Sequence, residues 1–318
     1  METVGVAAPV ITPTSHCRHE AFLYDDLDQF LGGCRRFIDQ AIEQKEPVLV
    51  VVSDVKIGAL SDRLADPANV VFADMAEIGR NPGRIIGTWA DFLRQHSTPG
   101  TWVHGIAEPI WAGRTAAELV ECQLHEALVN AAFADFDLRL MCPYDLSSLP
   151  DEVISEALRT HPLVYEDGRS RRSPLFPGLD ALAVPSRAPL PAPPKWAMEL
   201  SLASMDDLTR VRRFVACWAV EAGLSASRTE EVVLASNEMA TNTLRYGGAG
   251  TVGVWWESGA YLVEFTDSGR IEEAMVGRFP PRADALGGRG IWLAHHLCDL
   301  VQVRVSEHGN VVRLHAYA

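Results

Sequence analysis

The sequence predicts two domains of different class: an α/β three-layer domain over residues 1–167 and an α+β two-layer sandwich over 195–318, joined by a linker at 168–194. Three observations predict this. Apolar runs of strand length alternate with helical patterns in the first half, a segment holding seven of the chain's 19 prolines follows, and the second half runs strand, two helices, two strands, helix, two strands. At 318 residues the chain is longer than a typical single domain.

In the first domain "VLVVVSD" (48–54), "NVVFAD" (69–74), "GTWVHG" (100–105) and "LRLMCPYD" (138–145) are short and apolar. Between them, "DDLDQFLGGCRRFIDQAIEQ" (25–44) and "GRTAAELVECQLHEALVNAAF" (113–133) space their apolar residues as helices do. Strands apolar on both faces and separated by helices predict a parallel sheet covered on both sides. The next stretch, "GRSRRSPLFPGLDALAVPSRAPLPAPPK", sustains neither period. Proline fixes its own φ and lacks an N–H, so this linker is extended, and stiffest near "PLPAPP".

The second domain opens with a strand, "WAMELSLA" (196–203), and a helix from about Met205 to Ala222, in which Leu208, Val211, Val215, Trp218 and Ala222 keep the helical period. Ser204 followed three residues later by Asp207 resembles a capping box, and Gly223 suits the stop. A second helix covers roughly 226–245. Strands "GTVGVWWE" (250–257) and "AYLVEFTD" (260–267), a long loop, a helix over about 289–298, and strands "LVQVRVSE" and "NVVRLHAY" joined at His308-Gly309 complete it. This order predicts helices on one face of a mixed sheet.

A net charge of −14 without any block of Lys and Arg excludes a nucleic-acid-binding surface and leaves proteins and small molecules as partners. The longest apolar runs, such as "PVLVVV", are strand-sized, short of the roughly 20 residues of a membrane span, so no membrane segment is expected. Six scattered cysteines without a C-x-x-C pair, and no signal-like N-terminal segment, fit a reduced, cytoplasmic protein.

The chemistry concentrates in three stretches. "ASNEMATNTLRYGG" (235–248) sets Glu238 and Asn242 four residues apart on a helix, hence on one stripe, where they can converge on a ligand or simply face solvent. "EFTDSGR" ends an apolar strand with Asp267, and Gly269 lets the chain bend beside the carboxylate. "LGGRGIWLAHHLCD" places Gly287, Gly288 and Gly290 just before a helix, where backbone N–H groups and the helix dipole favour an anion such as phosphate, although glycines also merely make turns.

In this order, E-M-A-T-N, D-S-G and G-G-R-G resemble the N, G1 and G2 boxes of the GHKL ATPase superfamily, whose fold is the Bergerat fold. Within it, residues 195–318 are most similar to the anti-sigma-factor serine/threonine kinases of the RsbW type, in compact size, in the preceding helix "LTRVRRFVACWAVEAGLS" and in the short lid. The resemblance implies ATP and Mg2+ as cofactors. It makes Asn242 the Mg2+ ligand through its carboxamide oxygen, Glu238 the general base, and Asp267 the acceptor for the adenine amine. Gly269 would let the backbone approach the base, Gly288 and Gly290 would close on the phosphates, Arg289 would add phosphate charge, and residues 270–287 would form the lid. The implied partners are an anti-sigma-factor antagonist, phosphorylated on serine or threonine, and a sigma factor. A non-catalytic, ATP-dependent protein-binding switch is the alternative. Two departures stand out: Ile271 where the G1 box usually has a second glycine, and Tyr246-Gly247 where the N box often ends in His-Gly. A sensor histidine kinase would need a phosphoacceptor hairpin where this chain has its proline-rich linker.

The first domain, over about residues 16–166, resembles the RecA-like MEDS sensory family through "HEAFLYDDLDQFLGGCRRFIDQAIEQKEPVLVVVSD". The resemblance implies a sensed small-molecule ligand. "SDVKIGALSDRL" stands where a G-x-x-x-x-G-K-[ST] loop would follow the strand, so nucleotide hydrolysis is not expected there. His16, Cys17, His19 and Tyr24 could ligate a metal, contact the sensed molecule or simply pack, and their spacing matches no standard metal pattern. Trp89, Trp102 and Trp111 could line an apolar pocket or belong to the core.

Overall fold

A computed structural model describes residues 16–178, 189–271, 275–281 and 288–317. The first domain contains β1 (Cys17–Tyr24), α1 (Leu27–Gln44), β2 (Val48–Val52), α2 (Asp54–Ser61), β3 (Val70–Asp74), α3 (Met75–Ile78), α4 (Ile85–His96), β4 (Val103–Ala107), α5 (Ala116–Ala132), β5 (Leu138–Asp145), α6 (Asp151–Thr160), β6 (Leu163–Glu166) and β7 (Arg169–Arg172). Its sheet has the order β3-β2-β4-β5-β1-β6-β7, with β6–β7 the antiparallel pair and the other described pairs parallel.

Alternation along β2 shows how the sheet is covered. Val48, Val50 and Val52 pack with Phe30, Phe37 and Ile38 of α1, while Leu49 and Val51 join Trp89 of α4 and Leu128 of α5 on the other face. Successive side chains of a strand point to opposite faces, so an unbroken apolar strand needs helices on both. The helices start where side chains satisfy free backbone donors: Asp26 accepts from Gln29 N at α1, and Thr115 with Glu118 forms a capping box at α5.

Two strands of this sheet were hidden in polar sequence. β1 lies between β5 and β6, and its fully buried Glu20 is neutralised by Arg139 at 3.1 Å. β7 starts inside the expected linker, as an exposed edge strand of Arg and Ser that turns back on β6 through Asp167 and Gly168, both at positive φ. Further along the linker, the carbonyl of Pro191 accepts from Arg313 Nη2 at 2.6 Å, and Pro189, Pro191 and Pro193 lie against the second sheet.

The second domain contains β8 (Met198–Leu202), α7 (Leu208–Glu221), α8 (Ala226–Asn242), β9 (Gly250–Glu257), β10 (Ala260–Asp267), α9 (Arg289–Leu297), β11 (Leu300–Ser306) and β12 (Gly309–Tyr317). The Ser204–Asp207 capping box is present, and Gly223 takes φ 86° after α7. The sheet order is β11-β12-β10-β9-β8, and each of these pairs is antiparallel, not mixed as expected. The reason lies in the connections and the strand order: β9–β10 and β11–β12 are tight hairpins, and β12 lies between β10 and β11, the two strands that run the same way.

One face of this sheet is apolar. Val263, Phe265 and Leu314 pack on Val215 of α7 and on Val232 and Met239 of α8. The opposite positions carry Glu264, Gln302, Arg304, Arg313 and His315, all buried. Their cover is the first domain and the linker: Arg304 Nη2 donates to Glu121 of α5 at 2.6 Å, and Gln302 to the same oxygen at 3.4 Å. Glu264 takes the Arg313 guanidinium at 2.5 Å.

Candidate functional site

Helix α8 brings the N-box residues to the end of the apolar layer. Its last turn continues into a π-turn over Thr243–Gly247, a widening that recurs at functional sites because it re-aims side chains. Gly247 then passes Asp267 so closely that an added Cβ would sit 2.6 Å from the aspartate Cβ, which excludes any larger residue.

Asp267 ends β10 directly opposite Asn310 of β12. One carboxylate oxygen accepts from Gly269 N at 2.9 Å and Asn310 Nδ2 at 3.1 Å, and the other from Thr243 Oγ1 at 2.9 Å. Asn310 Oδ1 in turn accepts from Ile271 N at 3.1 Å. A carboxylate offers about four acceptor positions. With three engaged, Asp267 is held rigidly and keeps capacity for one more donor.

Beside this network lies a cavity of about 390 Å³, within the range of small-molecule sites. Met239, Phe265, Val276, Ile291 and Val312 give it apolar walls; Asn242, Thr243, Asp267, Asn310 and Arg270 supply polar groups; Gly288 and Gly290 close the end at the start of α9. Gly288 takes φ 81°, and a Cβ on Gly290 would come within 3.0 Å of Asn242 Nδ2 and 3.3 Å of Glu238 Oε2, so the first turn of α9 rests on both N-box side chains.

Of the sequence-derived residues, Asn242, Asp267, Gly288 and Gly290 therefore line one cavity. Gly269 abuts Asp267 from outside the lining, and Glu238 sits one turn back along α8, under Gly290. Arg289 is exposed at the first position of α9 and does not line the cavity. Gly287 and the lid residues 272–274 and 282–287 lie outside the described residues. Ile271, at the departure from the G1 pattern, contributes to the lining. Sequence reasoning missed Thr243 and Asn310; the second is set across from Asp267 by the pairing of β10 with β12, strands separated in the chain by α9 and β11.

Residues 275–281, within the segment expected as a lid, bridge the two domains. Val276 packs with the second-domain core, whereas Met275 and Phe279 pack against the core of the first. Phe279 meets Phe133 edge-on with ring centroids 6.4 Å apart. Arg278 is buried 3.8 Å from Glu121, and burial lowers its pKa from the ordinary arginine value despite that carboxylate. Glu121 thus faces Arg304 of β11 and Arg278 of the lid at once.

In the first domain, the four N-terminal candidates separate. His16 is exposed and pairs with Asp137 at 2.7 Å, and Cys17 is half-buried. Tyr24 donates to Glu108 at 2.7 Å, and Lys56 Nζ reaches both at 2.6 Å. Burial raises the Glu108 carboxyl, with Lys56 pulling against it. His19 is fully buried beside Glu126, Cys142 and His161, three residues that sequence reasoning did not connect with it. Trp89 is core and Trp111 packs against the same cluster under Arg114 at 3.6 Å, whereas Trp102 stacks under Arg18 at 5.2 Å. No described helix is long and apolar enough to cross a membrane.

Comparison with known proteins agrees with this division. Residues 18–162 match the family described as MEDS, the methanogen/methylotroph DcmR sensory domain, and residues 202–316 match the histidine kinase-like ATPase domain. No curated protein matches the chain. Among solved structures, the RsbU and RsbW domains of Rv1364c from Mycobacterium tuberculosis are similar at 18% identity, over 39% of this chain and 33% of that one, with a TM-score of 0.30. The chain spans about a third of that structure's length.

Proposed function

We propose that this chain, a MEDS sensory domain joined to a histidine kinase-like ATPase domain, binds ATP with Mg2+ and transfers phosphate to a serine or threonine of an anti-sigma-factor antagonist. The reading follows the RsbW-type resemblance of the three boxes. A sigma factor is the second partner, a small molecule is the ligand of the RecA-like sensory domain, and the protein works in the cytoplasm. The observation that carries the reading is that Asp267, Asn242, Gly288 and Gly290 line one cavity together with apolar walls.

Those residues fit the nucleotide. The anchored Asp267 accepts from an adenine amine, the apolar walls hold a flat ring, and the start of α9 supplies donors to phosphate oxygens. Asn242 offers an oxygen suited to a hard cation. ATP supplies the phosphoryl group and Mg2+ offsets its charge. Glu238, one turn from Asn242, accepts the proton of the attacking hydroxyl. The lid segment 275–281 resting on the first domain supports control of this site by the sensory domain.

A second reading has its own support. Glu238 lies outside the cavity lining, under Gly290, which favours a non-catalytic switch that uses ATP only to set the shape of the lid. Calorimetry of MgATP on the full chain tests the shared premise: Asn242→Ala and Asp267→Asn should each weaken binding by at least about tenfold, the loss of one buried polar partner. Unchanged affinity in both would remove the site. Glu238→Ala separates the readings, since the kinase loses phosphate transfer to an antagonist-type protein while keeping ATP affinity, whereas the switch keeps its ATP-dependent partner binding.

A further inference from the structure

A second constellation lies in the first domain, apart from the nucleotide cavity. His19 comes from β1, Glu126 from α5, Cys142 from β5, and His161 directly follows α6. All four are at most 1% exposed, and their donor atoms lie within 4.8 Å of one another. Glu126 Oε2 stands 3.0 Å from His19 Nε2, 3.4 Å from His161 Nε2 and 3.8 Å from Cys142 Sγ; Sγ is 3.4 Å from His19 Nε2.

The surrounding hydrogen bonds decide which imidazole nitrogens carry protons. Asn130 Nδ2 donates to the carbonyls of Glu126, Ala127 and Thr160, which turns Asn130 Oδ1 toward His19 Nδ1 at 3.2 Å as an acceptor. His161 Nδ1 donates to the carbonyl of Ala157 at 2.8 Å. Both rings therefore bear their proton on Nδ1 and present a bare Nε2 to the cluster, and His161 Nε2 has no hydrogen-bond partner among the described residues. Tyr144 donates to Glu126 Oε1 at 3.2 Å, which leaves Oε2 aimed inward. Two imidazole lone pairs, a carboxyl oxygen and a sulfur then converge in a dry interior. Acceptors packed this closely repel one another unless a cation sits between them.

We propose that His19, Glu126, Cys142 and His161 form a buried four-ligand site for one divalent transition metal ion, with Zn2+ the best match. Zinc takes nitrogen, sulfur and oxygen ligands tetrahedrally, at about 2.0–2.3 Å, which sets ligand atoms roughly 3.3–3.6 Å apart, and the four distances bracket that range. A thiolate and a carboxylate balance the 2+ charge, so the loaded site is neutral where a net charge would be costly. The thiolate with two imidazoles argues against Mg2+ and Ca2+, which want oxygen alone. The Nδ1 bonds to Asn130 and Ala157 are the outer contacts that orient metal-bound histidines. Four protein ligands and complete burial leave no open position, so the metal ties β1, β5, α5 and the end of α6 together instead of performing chemistry.

The test uses the full chain, purified without chelator. Elemental analysis should find about one zinc per chain. After exchange to Co2+, the spectrum should show intense visible bands of tetrahedral cobalt and a near-ultraviolet sulfur-to-cobalt charge-transfer band. Cys142→Ser should lose the charge-transfer band and most of the metal, while Cys34→Ser, at a buried thiol elsewhere in the same domain, should keep both. Folded wild-type protein that neither carries metal nor takes up Zn2+ or Co2+ on reconstitution overturns the proposal. So does a charge-transfer band that survives in Cys142→Ser. Wild-type metal content and cobalt spectrum decide the matter even where a variant fails to fold.

Discussion

The two sheets of this molecule solve burial differently. In the first, strands such as β2 are apolar on both sides and find their cover within their own domain, in α1 on one face and α4 and α5 on the other. In the second, one face is apolar, and the other buries Glu264, Gln302, Arg304, Arg313 and His315 against the linker and α5 of the neighbouring domain. Apolar cover is non-directional and tolerant, whereas buried polar cover works only while each partner is in place. The second domain is therefore coupled to the first through a few replaceable contacts, and the segment 275–281 beside its cavity is among the elements they hold.

The largest break in that comparison should come at Glu121. Its carboxylate faces Arg304 and Arg278, both nearly fully buried, and removing it leaves two guanidinium groups in the interface without their acid. Glu121→Ala should cost about 3–5 kcal/mol, the usual penalty for stranding a buried charge. In urea unfolding followed by domain-specific probes, one transition should split into two, with the second domain melting first. A coincident transition and a loss below about 1 kcal/mol would mean that the polar face does not couple the domains.

A smaller effect is expected at Phe279, which docks the lid on Phe133. The side chain is only half-buried, so Phe279→Ala should remove about 1 kcal/mol of burial and edge-on contact. That corresponds to roughly a fivefold rise in the opening equilibrium of this segment. Hydrogen exchange over residues 275–281 should quicken accordingly, with α4 and β4 unchanged. Equal exchange in the two proteins would show that the first domain does not hold the lid.

How much of this was legible in the sequence follows from the same contrast. The apolar strands β2, β4 and β5, the helices α7 and α8, and the Ser204–Asp207 cap could be read directly, because burial against apolar neighbours leaves a period in the chain. Four residues of the cavity, Asn242, Asp267, Gly288 and Gly290, were legible because polar groups in an apolar helix, an aspartate ending an apolar strand and glycines before a helix stand out against plain folding rules. β1 and β7 were not. Glu20 and His19 look like surface residues until Arg139 and Glu126, more than a hundred positions away, are brought beside them. Glu121 was illegible for the same reason: on α5 it reads as an ordinary exposed acid, and its partners lie in the other domain. The expected mixed sheet failed on connectivity, since strand direction depends on how many times the chain reverses between strands, which apolar period does not record.

The finest probe of the comparison is pH. His295 of α9 is buried where the domains meet, and its Nδ1 lies 3.1 Å from Asn81 Oδ1, which also accepts from Gly83 N. Burial pushes its pKa well below the usual 6.5, and the charges of Arg278, His296 and Arg84 push the same way. The unfolded chain therefore binds this proton more readily than the folded one, so the stability present above pH 6.5 is lost as pH falls below it toward the depressed folded value. At pH 6 the loss from this one group relative to pH 8 should be about 0.8 kcal/mol. His19, His125, His161 and His315 are also held neutral by burial, so the wild type alone cannot isolate the effect. His295→Gln keeps a donor for Asn81 but cannot charge, and the other histidines cancel in the difference between the two proteins. Urea unfolding at both pH values should show the variant losing less stability than the wild type by that amount. A pH dependence identical in the two would place His295 in contact with solvent and open the interface that the second sheet's polar face is built to close.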